Sequence, residues 1–134
     1  MSTDHKITVL VVDDEPDIKD FLAELLEFHG IQVLKAADGM EAWQIVESSP
    51  EIDLVVSDIA MPKMNGLELL KKIKADKPQL PVILITAYSN MMIPKVNRNG
   101  AQPEGFLNKP FDIYNLIKKI EELLPNGHLK KQSV

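Results

Sequence analysis

The chain has no cysteine among its 134 residues. Disulfides and thiolate metal sites are thereby excluded, and any metal must be held by oxygen or imidazole. Aromatic residues are sparse at 5%, with a single tryptophan, Trp43, expected to pack on a sheet from a helix. No apolar run approaches the roughly 20 residues of a membrane-spanning helix. The opening MSTDHK lacks the apolar stretch of a secretory signal. The expectation is a cytoplasmic protein without membrane insertion. Basic residues are also in deficit, with 15 Lys and Arg against 20 Asp and Glu and a net charge of −5. Proteins that grip nucleic acid through its phosphates show a basic face, so protein partners are expected and direct nucleic-acid contact is not. The three histidines, His5, His29 and His128, show no pairing that points to catalysis or a metal.

What is present is the size and apolar content of one soluble domain, with 45% hydrophobic and 26% charged residues. Residues 7–12 (ITVLVV), 53–57 (DLVVS) and 81–85 (PVILI) are near-continuous apolar runs without alternation. Such runs read as strands buried on both faces. Shorter strands are predicted at 32–36 and 106–108, and residues 61–66 (MPKMNG) read as a loop by their Pro and Asn-Gly content. Between them, apolar residues fall at helical spacing: Ile18, Phe21, Leu22, Leu25 and Leu26, stopped by Gly30; Trp43 and Val46, opened by Asp38-Gly39 and ended before Pro50; Leu67, Leu70 and Ile73, closed near Pro78. Asp112 is placed to cap a last helix carrying Ile113, Leu116, Ile117, Ile120, Leu123 and Leu124. Alternating strands and helices imply a parallel sheet with right-handed crossovers and helices on both faces. One domain over 7–124 is expected, with tails at 1–6 and 125–134.

One segment breaks the rhythm. A fourth helix belongs between Ser89 and Gly105, yet Pro94, Asn97, Asn99, Gly100, Pro103 and Gly105 leave only a weak pattern at Met92, Ile93 and Val96. Proline suits the first turn of a helix and not its interior, so an irregular or shortened helix starting near Pro94 is expected. Met91, Met92 and Ile93 are read as cover for the sheet edge, with an adaptable partner surface as the alternative.

Four strand-like runs end on residues suited to a metal-bound phosphoryl group: Asp13 and Asp14, Asp58, Thr86, and Lys109. A parallel α/β sheet gathers its chemistry at the carboxyl ends of its strands, so these residues are expected on one rim. Carboxylates gathered so closely repel unless a cation sits among them, and oxygen-only ligands suit Mg²⁺, or Mn²⁺. Taken singly, each has another reading. Asp14 or Glu15 before Pro16 and Asp17 resembles a helix cap, Asp58 a turn residue, Thr86 a strand terminus, and Lys109 a surface charge. Capping does not account for the other three strand ends.

With VVDDEP (11–16), SDIAMPKMNG (57–66), TAY (86–88) and KPF (109–111), the chain resembles the receiver domain of bacterial two-component response regulators over 7–124. The resemblance implies a flavodoxin-like (βα)5 three-layer sandwich with strand order 2-1-3-4-5. It implies Asp58 as acceptor of a phosphoryl group from a sensor histidine kinase or histidine phosphotransfer protein. Asp14, Asp58 and the backbone carbonyl of Ala60 would bind Mg²⁺, with Asp13 orienting metal-bound water. Lys109 and Thr86 would contact phosphoryl oxygens, and Phe106 would swing inward as Thr86 moves. Ala60 and Tyr88 take positions that tune hydrolysis, and a long-lived phosphoryl group is expected because Ala60 cannot orient water while Tyr88 can shield the bond. Lys109-Pro110 is expected to be cis.

The spacing departs from the family where QPEG adds residues between Gly100-Ala101 and Phe106. With few residues after the last helix, the expected function is a single-domain phosphorylation switch acting on an unidentified output protein, and not an enzyme beyond its own phosphorylation and dephosphorylation. The alternatives are a Mg²⁺-dependent phosphatase of the phospho-aspartate type, disfavoured by the spacing in Asp13-Asp14-Glu15, and a phosphorylation-independent binding module. A nucleotide-binding fold is excluded by the lack of a glycine-rich turn after ITVLVV.

Overall fold

The computed structural model describes residues 6–87 and 101–124. In chain order the elements are β1 (Thr8–Val12), α1 (Pro16–Phe28), β2 (Gln32–Ala36), α2 (Gly39–Ser48), β3 (Leu54–Asp58), α3 (Gly66–Asp76), β4 (Val82–Thr86), β5 (Gly105–Asn108) and α4 (Ile113–Leu123). The strands form one parallel sheet in the order β2-β1-β3-β4-β5. Segment 89–100, where the additional helix was expected, lies outside the described residues, as do Tyr88, Met91, Met92, Ile93, His5 and His128.

The uninterrupted apolar runs became the three central strands, all five residues of each buried. Alternation along them divides the core. Val9, Val11, Leu54, Val56, Ile83 and Ile85 face α1 and α4, meeting Leu22, Leu26, Leu116 and Ile120. Leu10, Val12, Val55, Val82 and Leu84 face α2 and α3, meeting Ala42, Val46, Leu69, Leu70 and Ile73. This is the two-sided burial that a parallel sheet with helices on both faces requires.

The helix ends follow their sequence signals. Gly30, at φ 83°, closes α1, with its N–H donating to the Glu27 carbonyl. Asp38 caps α2 by accepting from Glu41 N, and Asp112 caps α4 by accepting from Tyr114 N. Asn65-Gly66, read from sequence as loop, is the start of α3: the Asn65 side chain accepts from Glu68 N while Glu68 accepts from Asn65 N. That reciprocal pair satisfies two otherwise unpartnered donors.

Two acidic side chains extend the sheet beyond its strands. Asp53 accepts from Thr8 N at 2.9 Å while its own N–H donates to the Thr8 carbonyl. Glu104 does the same at β4, accepting from Val82 N at 2.9 Å and donating its N–H to the Val82 carbonyl. The residues added before Phe106 are therefore tied to the sheet by Glu104.

Candidate functional site

Side-chain alternation along the strands carries into the rim. Asp58 continues the row of Leu54 and Val56. Asp13 follows β1 one step past Val12, its N–H still donating to the Ala36 carbonyl. Lys109 follows β5, held by a 2.7 Å bond from its N–H to the Thr86 carbonyl. The period of two in a strand thus brings three side chains from three strands together. Lys109 Nζ lies 3.4 Å from Asp58 Oδ2 and 3.7 Å from Asp13 Oδ2. Asp13, Asp14 and Asp58 each present a carboxylate oxygen within 4.8 Å of the others.

Asp58 is 8% exposed. Burial pushes its carboxyl above the ordinary aspartate pKa and the Asp13 charge adds to the rise, while Lys109 and the Ile59 N–H oppose it. Its Oδ1 accepts from that N–H at 2.9 Å. Asp13 is buried as well, and its Oδ1 accepts from Glu15 N. Of the two residues read as a helix cap, Glu15 takes the cap position of α1 without a side-chain capping bond, while Asp14 joins the carboxylate cluster. Asp14 is exposed and faces the cluster from the solvent side.

One ammonium against three carboxylates leaves the cluster anionic, and its donors are all oxygen. That donor set fits a hard divalent cation such as Mg²⁺, with Asp13, Asp14 and Asp58 as the side chains that would hold it.

Thr86 is buried at the end of β4, two residues past Leu84 and therefore on the opposite face of the sheet from the Asp58 row. Phe106 is half-buried on that same face, in register with Leu84 and packed with the cluster that includes Met64 and Leu70. Ala60 is exposed in the loop that leaves Asp58. The Lys109-Pro110 peptide is cis.

A feature missed by the helical spacing is an apolar groove of about 600 Å³ beside Lys109, between α1 and the segment leading into α4. Its walls include Ile18, Leu25, Pro110 and Phe111, and Phe21 on its lip is 60% exposed rather than turned into the core. The signal available in the sequence was the width of the α1 stripe, since Phe21, Leu22, Leu25 and Leu26 cover more of the helix than one core contact needs.

A doubly wound parallel sheet gathers its ligands at the carboxyl ends of its strands, and here that rim joins an acidic oxygen cluster to one lysine. A family model described as the response regulator receiver domain matches residues 9–121. The transcriptional regulatory protein CpxR of Escherichia coli is 35% identical over 92% of this chain and 52% of its own length. A CheY-like receiver domain from Methanospirillum hungatei superposes with a TM-score of 0.83 at 31% identity, covering 90% of this chain and 94% of that one. The Thermotoga maritima response regulator TrrA, solved with Mg²⁺ and BeF, gives 0.77 at 34% identity, covering 88% and 99%.

The chain belongs to the response regulator receiver domain family, whose members here are response regulators of two-component systems. Its flavodoxin-like strand order agrees with that of the resemblance. The phosphatase alternative finds no support among these relatives. The chain spans about half the length of the first curated relatives it matches. No helix among the described residues is long and apolar enough to cross a membrane.

Proposed function

We propose that this domain accepts a phosphoryl group on Asp58 and uses it to switch binding of an output protein, without turnover of any other substrate. The observation that carries the reading is Lys109 Nζ poised between the buried Asp58 and Asp13 carboxylates. Phosphoryl transfer to a carboxylate asks the protein for a positioned nucleophile and for positive charge about the equatorial oxygens. An Asp58 carboxylate oxygen bonds to phosphorus as the phosphorus–nitrogen bond of a phosphohistidine breaks, its electron pair staying on the imidazole. Lys109 meets the developing charge, with the Asp13 carboxylate 3.7 Å away on its other side. Asp13, Asp14 and Asp58, with the Ala60 carbonyl, would hold Mg²⁺, which would supply further charge neutralisation there.

The phosphorylated side chain adds negative charge and acceptor oxygens. The Thr86 hydroxyl is the partner we assign to one of them, and Phe106, packed on the same face as Thr86, is the residue whose packing responds. Ala60 and Tyr88 are assigned to slow hydrolysis. Conversion of Ala60 to Asn should shorten the lifetime of the adduct, and an unchanged lifetime would remove that role.

The donor is a sensor histidine kinase or histidine phosphotransfer protein. The groove supports a protein donor, because Lys109 is at once one of its walls and a contact of Asp58. A helix seated there would bring its histidine to the acceptor. The test of the reading is intact-mass measurement after incubation with Mg²⁺ and a small phosphodonor. One phosphoryl increment is expected on the wild type and none on Asp58→Asn; an unmodified wild type would overturn the assignment.

A further inference from the structure

The strand that delivers Lys109 is the shortest of the sheet and lies at its edge. β5 has four residues and, among the described residues, a single neighbouring strand, β4. Beyond its C-terminal end the chain is held by the Lys109 N–H bond to Thr86. Just before its first residue stands Glu104, which takes no part in the rim chemistry yet has both carboxylate oxygens engaged. Oε1 accepts from Val82 N at 2.9 Å, and Oε2 accepts from Lys74 Nζ at 2.7 Å. The Lys74 ammonium gives its other bonds to the Leu80 carbonyl at 2.7 Å and the Pro78 carbonyl at 3.3 Å. An ammonium has three donors, so Lys74 is saturated, and its side chain is only 13% exposed.

Lys74 stands in the last turn of α3, while the first residue of that helix abuts the acceptor. Gly66 N donates to the Ile59 carbonyl at 2.9 Å, and a Cβ at Gly66 would collide with the Asp58 carbonyl oxygen. The elements therefore close a ring. Asp58 leads to α3, α3 to Lys74, Lys74 through Glu104 to β5, and β5 through Lys109 back to Asp58. The Lys74–Glu104 ion pair is the side-chain tie between α3 and β5 in that ring.

We infer that Glu104 and Lys74 are positioning residues for phosphoryl acceptance, fixing β5 so that Lys109 reaches Asp58; the inference rests on the assignment of Asp58 as acceptor. The Lys109 ammonium sits 3.4 and 3.7 Å from its two carboxylates, beyond the roughly 2.7–2.9 Å of a tight charge-assisted hydrogen bond. Its placement is accordingly set by where the strand ends rather than by the strength of its own contacts. A displacement of about 1 Å in such a group costs up to about a hundredfold in rate.

The experiment compares wild type, Glu104→Gln, Glu104→Ala, Lys74→Met and the Ala/Met double variant by intact mass during reaction with a small phosphodonor. Mg²⁺ affinity is measured in parallel by calorimetry. Glu104→Ala should slow adduct formation about tenfold, with Mg²⁺ affinity within about twofold of wild type because no carboxylate of the cluster is altered. Glu104→Gln should be intermediate, since its amide oxygen still accepts from Val82 N. The double variant should be no slower than Glu104→Ala, as expected for two members of one contact. Amide exchange at Lys109 should rise in Glu104→Gln and Lys74→Met while β1 and β3 stay protected. Wild-type rates in these two milder variants, or rate and Mg²⁺ affinity falling together, would overturn the positioning role. An unphosphorylated wild type would instead remove the acceptor assignment, and unchanged Lys109 exchange would then remove the anchoring as well.

Discussion

In its proposed role the Asp58 carboxyl must do two opposed things: sit in a buried rim beside Asp13 and remain ionised enough to attack phosphorus. Burial and the Asp13 charge raise its pKa despite Lys109, so the folded state holds the proton more tightly than the unfolded chain does. Its contribution to stability is then fully present below the ordinary aspartate value of 3.8 and is lost as pH rises through the raised folded value. In chelator-treated buffer, Asp58→Asn should match wild type in acid and become the more stable protein as pH rises through that window. Urea denaturation at several pH values measures the gap, and a gap independent of pH would show that Asp58 is not strained by its surroundings. Lys63 carries a second local cost. It has φ 68° in the loop after Asp58, where a side chain costs roughly 1–2 kcal/mol relative to the right-handed region. Its ion pair with Asp38 at 3.7 Å is little compensation, the lysine side chain being 68% exposed. After allowing for the greater freedom of glycine in the unfolded chain, Lys63→Gly should stabilise by about 0.5–1 kcal/mol in the same assay. The sequence showed both residues and neither cost, because burial and φ are set by the neighbours that folding supplies.

Among the elements, those whose signals are local were legible in advance. The three central strands, the cap at Asp38, the stop at Gly30 and the cap at Asp112 all follow from short-range chemistry. The start of α3 was misread because Asn-Gly serves both turns and caps, and only the contact with Asp58 distinguishes them. Gly66 ordinarily reads as a weak helix residue, and Ala would be expected to improve it. Here the sign reverses: Gly66→Ala should destabilise by about 1–3 kcal/mol through overpacking and slow phosphorylation of Asp58. A stabilised, fully reactive variant would show that the loop yields at no cost. On α1 the exposed Phe21 separates the two donor classes. Phe21→Asp should leave the rate from a small phosphodonor unchanged and reduce transfer from the cognate phosphohistidine protein at least tenfold, a loss of about 1.4 kcal/mol. Equal rates from the protein donor would show that the groove is not its seat. The clamp at Glu104 had no sequence signal of its own, since a glutamate thirty residues from a lysine is unremarkable until the crossover places them 2.7 Å apart.

For the molecule as a whole, the rim is where the fold carries unrelieved charge. The sheet order that buries β1 and β3 side by side also brings Asp13 and Asp58 together, and no rearrangement separates them without breaking the central pairing. That consequence was readable from the sequence, because the acidic residues directly follow two of the near-continuous apolar runs and a parallel sheet aligns its strand ends. A divalent cation binding the folded state alone stabilises it by RT ln(1 + [L]/Kd), about 2.7 kcal/mol at a hundredfold excess. For a domain of this size, that is a Tm rise of roughly 10 °C. Mg²⁺ should therefore raise Tm in wild type, excess chelator should return it, and Asp13→Asn should abolish most of the increment. Lys109→Ala gives the discriminating result. It removes the cation that competes for Asp13 and Asp58, so the Mg²⁺-induced rise should be retained or enlarged while phosphorylation slows by at least tenfold. Loss of both together would mean that Lys109 holds the cluster in shape rather than meeting the phosphoryl charge. Retention of the first with loss of the second would separate cation binding from phosphoryl acceptance within one rim.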